Sequence, residues 1–327
     1  MQILREVAVA TFILSVPAVA LCDTQPANKS ASQHQSIDPV ARNIPCESEE
    51  GAEAVTACTR LLRSEQDKAR RVTLLTRRGS LLHDLKAYDK AIADFDAALR
   101  LRPQDAVILA HRGWSYLEKD EDNKAVADFS AAIKLSPATI EPYRGRAEAY
   151  YALKQCREAI PDFTMVLQNL PPTADSHFKR GHCHYVIGAA DPALADYTAA
   201  IARDPKQADA YSNRGLIYME RQQFPKALAE FEAALVRDPK LEAAVYNKGL
   251  TYLHMKNFDG ARLAMTRAIE LAPGNAEYHL RRAQAWRWLK MPDEALKDAR
   301  RAVELDPQNQ LFKVGLQQFE AETRKRA

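Results

Sequence analysis

Proline recurs every 34 residues through most of this chain, and this period constrains the fold more than any other feature. The recurring residues are Pro103, Pro137, Pro171, Pro205, Pro239, Pro273 and Pro307. A fixed period of this length indicates stacked repeats, in which each unit packs mainly against its neighbours. With this proline as position 32, seven consecutive units run from Val72 to Asn309, so most of the 327 residues belong to one repeat array.

Other positions of the 34-residue frame recur as well. Position 8 is glycine or alanine in every unit, position 20 is always alanine, and position 24 is aromatic in five of the seven units. Small residues facing large ones are expected where two helices approach each other closely. Because the proline at position 32 cannot continue a helix, each unit is predicted to be two antiparallel helices joined by a turn near position 15.

These columns resemble the pattern of the tetratricopeptide repeat family. The resemblance covers about three quarters of the chain, and it implies an all-α fold, a right-handed α-solenoid of seven helix-turn-helix repeats over 72–309. The sequence departs from the family pattern at His184, which replaces the usual aromatic at position 11, and at Met265 and Ala299 in position 24. These departures concern local packing and leave the predicted fold unchanged.

Two further segments extend the array. Residues 45–71 keep the spacing of a second helix, with Ala57 in the column that is always alanine, and they predict a degenerate half-repeat that caps the N-terminal end. Residues 310–327 predict a C-terminal capping helix and a tail. The stripe expected to face the array consists of Leu311, Val314, Leu316 and Phe319.

The first 44 residues have a different character from the rest. Residues 1–20 contain a short apolar run that ends at Ala20 in a small-x-small pattern, which predicts a cleaved secretory signal. An uncleaved anchor is the alternative, although the run is short for a membrane span. Cys22 suggests lipoprotein anchoring, which Leu21 disfavours because that motif needs a small residue there. Residues 21–44 are polar and predict a flexible linker, so a periplasmic or secreted protein without a span after cleavage is expected.

Composition and motifs limit the classes of function. Lys and Arg number 46 against 43 Asp and Glu, and the resulting net charge of +3 is too small to drive nucleic-acid binding. The sequence contains no G-x-S-x-G, P-loop or H-E-x-x-H motif, and no segment outside the repeats is large enough for a catalytic domain. We therefore expect neither enzymatic activity nor a cofactor.

Charged residues occupy two matched columns of the repeat. Position 7 is basic in all seven repeats and position 23 is acidic in six of them. The two positions are equally far from the turn, so they should face each other across the antiparallel helices and form an ion pair within each repeat. Lys248 faces Ala264 instead, and it is therefore expected to be the free cation of the column.

Four cysteines lie at positions that could meet. Cys46 and Cys58 mirror each other across the turn of the half-repeat, which predicts a disulfide that closes the N-terminal cap in an oxidising compartment. The alternative is that Cys58 fills an apolar slot. Cys156 and Cys183 lie on neighbouring helices of successive repeats, so a second disulfide is compatible with the geometry, with two buried thiols as its alternative.

The segment His182-Cys183-His184 has the composition of a metal or thiol site. Residues two apart on a helix point about 200° away from each other, so the two histidines cannot share one ion. No metal site is predicted, and His184 is expected to be an interior residue.

The family resemblance implies a concave face that is lined by positions 2, 5, 9, 12 and 13 of the first helices. Here these columns are aromatic with scattered charges, which suits an extended peptide or a partner helix held by a few buried anchors. Some of these aromatics are expected to pack against a neighbouring repeat instead. The candidate partner-binding residues are Trp114, Arg144, Tyr151, Phe178, His182, Tyr185, Tyr246, His254, Arg287 and Trp288.

The sequence therefore predicts an exported, non-catalytic scaffold or adaptor that binds a protein or peptide in its concave groove. Its signal and repeat columns look like those of periplasmic repeat proteins of Gram-negative bacteria. The alternative is a structural assembly subunit of an envelope complex that uses its edge or its convex face. A binder of small molecules or cell-wall fragments is a weaker option, because solenoid grooves are open and bury little of a small ligand.

Overall fold

The computed structural model describes Cys46 and residues 51–324, so the predicted signal over 1–20 and linker over 21–44 lie outside the described residues. Sixteen α-helices and no strands occur in this part of the chain. They are α1 (Gly51–Ser64), α2 (Lys68–Asp84), α3 (Tyr88–Leu101), α4 (Ala106–Leu117), α5 (Asp122–Leu135), α6 (Glu141–Ala152), α7 (Cys156–Asn169), α8 (Ala174–Val186), α9 (Ala190–Arg203), α10 (Ala208–Glu220), α11 (Phe224–Arg237), α12 (Glu242–His254), α13 (Phe258–Leu271), α14 (Ala276–Trp288), α15 (Pro292–Leu305) and α16 (Gln310–Arg324).

The described residues form two compact units. The N-terminal unit ends at Asp196 and the C-terminal unit begins at Tyr197, so the division falls within α9. Within each unit, helices that are consecutive in the chain pack against each other, and the even-numbered helices are the first helices of the repeats. Among the residues that the structure describes, no helix is long and apolar enough to cross a membrane.

Each repeat turns at its position 15, as the sequence predicts. The backbone there is left-handed in all seven repeats, with Gly188 at φ 81° and six non-glycine residues at φ between 57° and 62°. The following residue closes the end of the first helix, as where the Ala87 N–H donates to the Leu82 carbonyl oxygen at 2.8 Å. The non-glycine residues are Lys86, Asp120, Lys154, Gln222, Lys256 and Lys290.

The small residues at position 8 lie against the large residues at position 24. A β-carbon on Gly79 would come within 2.6 Å of the Phe95 ring, so a larger residue would push the two helices apart. Phe95, Phe129, Phe163 and the corresponding residues as far as Met265 are fully buried. The predicted packing of small against large residues is therefore confirmed, and with it the all-α helix-turn-helix fold.

At the N-terminal end, α1 packs against α2 and contributes Ala54 and Cys58 to the core. The helix α2 begins at Lys68, four residues before the first position of the repeat frame. Asp67 explains this early start, because its carboxylate accepts the backbone N–H of Arg70 at 2.8 Å and so caps the helix.

At the C-terminal end, α16 packs against α15, but the apolar stripe predicted for it is only partly right. Leu311 is 53% exposed and Val314 is 39% exposed. The residues that face the core are Phe312 and Phe319, with Leu316 packed against the same cluster. These three are spaced four and three residues apart and share one face of a helix, whereas Leu311 lies off that face.

Candidate functional site

The basic column at position 7 forms ion pairs inside the repeats. In the third repeat, Nε and Nη2 of Arg146 donate to the two carboxylate oxygens of Asp162 at 2.7 and 2.9 Å. Asp162 is only 3% exposed, so this bidentate ion pair lies inside the repeat. The six predicted pairs are confirmed: Arg78–Asp94, Arg112–Asp128, Arg146–Asp162, Arg180–Asp196, Arg214–Glu230 and Arg282–Asp298.

Position 25 of the preceding repeat supplies a second partner that the sequence reasoning missed. Nη1 of Arg112 donates to Asp96 at 2.6 Å, and Nη1 of Arg146 donates to Ser130 at 3.2 Å. The expectation that Lys248 is a free cation is therefore wrong, because its Nζ lies 3.0 Å from the Glu232 carboxylate at the same position. The signal was present in the sequence, since position 25 is polar in each of the first six repeats.

In the N-terminal unit, two predicted residues meet across the first helices α4 and α6. The Arg144 guanidinium lies 5.0 Å from the centre of the Trp114 ring, close enough for a cation–π interaction. Trp114 packs edge-on against the buried Phe129, with ring centres 5.3 Å apart, and Arg144 Nη2 lies 2.6 Å from the Glu141 carboxylate. Trp114 is thus a half-buried anchor with a charged neighbour on its exposed side.

A second group on α6 and α8 extends this surface. The Lys179 ammonium lies 2.7 Å from the carboxylates of both Glu148 and Asp175, and 5.9 Å from the centre of the Tyr151 ring. Tyr151 also meets His182 edge-on at 5.5 Å. Burial alone would lower the pKa of Lys179, but the two carboxylates offset it and raise that pKa, so the side chain is a fixed cation.

We call this surface the N-terminal face; it consists of Trp114, Arg144, Glu148, Tyr151, Lys179 and His182. It combines half-buried aromatic rings with charges of both signs, which suits contact with the side chains and polar backbone of an extended chain. Lys179 is not among the residues predicted from the sequence, although its position opposite an acidic residue of the preceding first helix was a usable signal.

The remaining predicted residues of this unit differ in exposure. Phe178 is 2% exposed and forms part of the core, so a partner could reach it only if helices separated. Tyr185 is half-buried on α8. The burial of Phe178 could not be predicted from its position in the repeat.

In the C-terminal unit, the corresponding side chains contact one another. The Tyr246 and Tyr278 rings lie 4.9 Å apart, and the Tyr246 hydroxyl donates to Glu277 at 3.4 Å. Arg281 Nε donates to the same carboxylate at 2.6 Å. Tyr246 is 7% exposed and Arg281 is 5% exposed, so this network offers little surface to a partner.

The last three predicted residues lie near the end of the array. His254 stacks on Phe224 with ring centres 5.6 Å apart. Arg287 Nε donates to Glu322 of the capping helix at 2.8 Å, so the cap occupies that guanidinium. Trp288 stacks on Phe258 at 5.3 Å and is 45% exposed, which makes it the most accessible of the predicted residues in this unit.

The predicted cysteine pairs are in contact, and all four residues are buried thiols in this structure. Burial raises the pKa of Cys58, and so does the hydrogen bond in which its thiol is the donor and Cys46 the acceptor. Cys156 and Cys183 are hydrogen-bonded to each other across α7 and α8. The two disulfides stay predictions.

The two histidines of the His182-Cys183-His184 segment have different surroundings. His184 Nε2 lies 4.0 Å from Asp196, and burial lowers its pKa, whereas His182 packs against Tyr151. Within residues 51–324, no three side chains of the metal-binding types come together.

The chain belongs to the tetratricopeptide repeat family. One tetratricopeptide repeat model matches residues 47–106, 190–242 and 246–310, which together exceed half of the chain, and a second matches residues 106–139. No curated protein matches the chain in sequence. The fold is thus that of a protein–protein interaction scaffold.

Solved structures agree with this assignment. The crystal structure of the APC/C hetero-tetramer Cut9–Hcn1 is similar over 82% of this chain, with a TM-score of 0.54 and 18% identity, and this chain spans 52% of that one. A tetratricopeptide repeat protein from Parabacteroides merdae is similar over 77% of this chain and 99% of its own, with a TM-score of 0.53 and 15% identity. At these identities the similarity establishes the fold alone.

Proposed function

We propose that this protein is an exported, non-catalytic adaptor that binds an extended peptide segment of a partner protein on the N-terminal face. The observation that carries the proposal is the cluster of half-buried aromatic and charged side chains on α4, α6 and α8. Trp114 and Tyr151 would be the anchors, because each already rests on a buried ring and would lose little conformational freedom on binding.

The charges of the face define the partner further. Arg144 and Lys179 each have a carboxylate neighbour within 2.7 Å, so the surface does not present a cluster of unpaired positive charge. An apolar or aromatic peptide with a small net charge suits such a surface better than a strongly acidic peptide. Beside the face, the Glu141 carboxylate is 49% exposed and can accept a backbone N–H of the peptide.

Selection from a displayed library of random peptides, with the folded protein as target, tests this proposal. We expect aromatic or aliphatic peptides that bind the wild type and lose at least tenfold in affinity on Trp114→Ala or Tyr151→Ala. Trp288→Ala is the matched control, because it removes an exposed aromatic from the other unit. Peptides that bind all three variants equally, or a selection that yields none, would refute the proposal.

The proposal that the protein is exported rests on residues 1–20, which have the sequence pattern of a secretory signal. Expression of the full chain in a Gram-negative host, followed by fractionation and N-terminal sequencing, tests it. We expect a periplasmic product that begins at Leu21. An intact N-terminus in the cytoplasmic fraction would contradict export without affecting the peptide-binding test, which uses the purified chain.

A second candidate function, assembly into a larger complex through second helices, is favoured by one observation. In the C-terminal unit, Val236 on α11 is 80% exposed and Leu263 on α13 is 58% exposed. Leu263 borders an open cleft of about 370 Å³, lined also by Leu235, Tyr252 and Ala264. If this surface assembles, Leu263→Lys should shift the sedimentation of the native complex while leaving peptide binding unchanged.

A further inference from the structure

The N-terminal unit contains a cluster of three chemically active side chains, Cys156, Cys183 and His182, whose thiols the partner-binding proposal does not use. Cys156 is the first residue of α7, and the other two are consecutive on α8. The Cys183 thiol donates a hydrogen bond to the Cys156 sulfur. The cysteines share one buried cluster with Ala147, Ala159 and Phe163.

The surroundings of Cys156 favour its thiolate. The hydrogen bond from Cys183 and the nearby His182 imidazole lower the pKa of Cys156, against an opposing contribution from burial and from Glu158 on the same helix. Its place at the N-terminus of a 14-residue helix acts in the same direction, because the helix dipole favours a negative charge there. The pKa of Cys183 is raised, because its proton is held between the two sulfurs.

His182 has the placement of a proton acceptor. Both of its ring nitrogens are buried, and within the described residues neither makes an aligned hydrogen bond. Tyr151 packs edge-on against the ring at 5.5 Å and limits its movement. A buried imidazole near a thiol can accept the thiol proton, as in other cysteine–histidine pairs.

We propose that Cys156 and Cys183 are a redox-active dithiol that exchanges with a low-molecular-weight disulfide, with Cys156 as the attacking thiol and His182 as its base. Cys156 is 6% exposed and directly follows the exposed residues Lys154 and Gln155, whereas Cys183 is fully enclosed. An incoming disulfide therefore reaches Cys156 first, and Cys183 completes the exchange. This activity does not depend on the partner-binding proposal.

The exchange breaks one disulfide and forms another. The Cys156 thiolate attacks one sulfur of a disulfide RSSR, a mixed disulfide forms, and RS⁻ leaves with the proton that His182 had accepted. Cys183 then loses its proton and attacks the Cys156 sulfur, which expels the second RS⁻, and this takes up the Cys183 proton. RSSR is thus reduced to two RSH while the protein gains one disulfide between α7 and α8. Two sulfurs already in hydrogen-bond contact need to move only a short way to reach a bond length of about 2.0 Å.

Alkylation rates test the reactivity of Cys156 in the folded, reduced full chain. With iodoacetamide and peptide mapping, we expect its rate to change less than about twofold between pH 7 and pH 9, because the thiolate already dominates. Cys58 in the same sample is the control and should stay slow. His182→Gln should make the rise between pH 7 and pH 9 steeper than in the wild type, because it removes one of the groups that lower the pKa of Cys156. A steep rise in the wild type would overturn the proposal.

Oxidised glutathione tests the exchange itself. We expect a peptide that links Cys156 to Cys183 in the wild type, and a glutathione adduct trapped on Cys156 in Cys183→Ser. Cys156→Ser should give no adduct on Cys183. A wild-type map in which both cysteines remain separate thiols would overturn the proposal. If Cys183→Ser loses its helical circular dichroism, the wild-type map alone decides the result.

Discussion

The two units share one packing frame but differ in what their first helices present. In the N-terminal unit, Trp114 and Tyr151 are half-buried and lie beside charged groups. In the C-terminal unit, Tyr246 and Arg281 are buried in a network of their own, and the capping helix occupies Arg287. Positions 7, 8, 23 and 24 thus maintain the fold in both units, whereas the columns of the first helices diverge. The constant columns therefore stabilise the fold, and the partner site that we propose lies on the N-terminal face.

The largest expected difference concerns position 7 of two repeats, one in each unit. Arg146→Ala leaves the buried Asp162 carboxylate without its cation, and we expect a loss of about 3 kcal/mol in unfolding free energy. Lys248→Ala removes a pair to a Glu232 side chain that is 55% exposed, and it should cost no more than about 0.5 kcal/mol. Urea denaturation followed by circular dichroism measures both.

The double variant Arg146→Ala with Asp162→Ala is the control for this prediction. It should recover part of the loss, because it removes the buried charge that the single variant leaves unpaired. Equal destabilisation by Arg146→Ala and Lys248→Ala would show that the bidentate pairs do not carry the stability assigned to them.

Two glycines differ in how closely other side chains approach them. A β-carbon on Gly145 would lie 2.2 Å from the Phe129 ring, so Gly145→Ala should destabilise the fold by about 2 kcal/mol. Gly274, in the other unit, has nothing within 4 Å of that position, and its substitution should change stability by less than about 0.5 kcal/mol. Thermal denaturation of the two variants checks the difference, and a neutral Gly145→Ala would contradict the packing described.

The binding difference between the units is expected to be smaller in free energy. Tyr151→Ala should weaken a selected peptide about tenfold, or about 1.4 kcal/mol, by removing an anchor. Trp288→Ala should change the affinity less than twofold, because that ring lies outside the N-terminal face. Isothermal titration calorimetry gives both values, and circular dichroism confirms that each variant is folded. The reverse ranking would move the binding site to the C-terminal unit.

The smallest effect concerns two partly buried histidines, one in each unit. Burial lowers the pKa of His184 and of His254; Asp196 opposes the shift at His184, while Arg281 adds to it at His254. A lowered pKa means that the unfolded chain binds the proton more readily, so stability is complete above about pH 6.5 and declines as the pH falls below it.

We therefore expect His254→Gln to remove more of this decline than His184→Gln. Urea denaturation at pH 7.5 and pH 5.5 measures it as the difference between each variant and the wild type. An identical pH dependence in all three proteins would show that neither imidazole contributes.

The parts of the structure that depend on periodicity could be predicted from the sequence. The turn at position 15, the contact between positions 8 and 24, and the six ion pairs all follow from the 34-residue frame, because each repeat places these residues in the same geometry. The partners of Arg112 and Lys248 at position 25 of the preceding repeat could have been predicted from the same frame, but only by comparing successive repeats.

What could not be predicted is the exposure of individual side chains. Phe178 lies in a column predicted to face a partner, yet it is buried, whereas Leu311 is predicted to lie in the core and is exposed. Exposure depends on how neighbouring repeats fill the space around a residue, and a repeat frame does not specify this. The columns that contain the candidate site could therefore be predicted from the sequence. The structure was needed to show which side chains in those columns are exposed to a partner.

Photo-cross-linking of a bound peptide would locate the partner on the surface of the protein. A benzophenone amino acid would replace Tyr151 in one variant and Trp288 in another, and each folded protein would be irradiated with the same selected peptide. We expect an adduct with the probe at position 151 and none with the probe at position 288. An adduct at position 288 alone would contradict the assignment of partner binding to the N-terminal face.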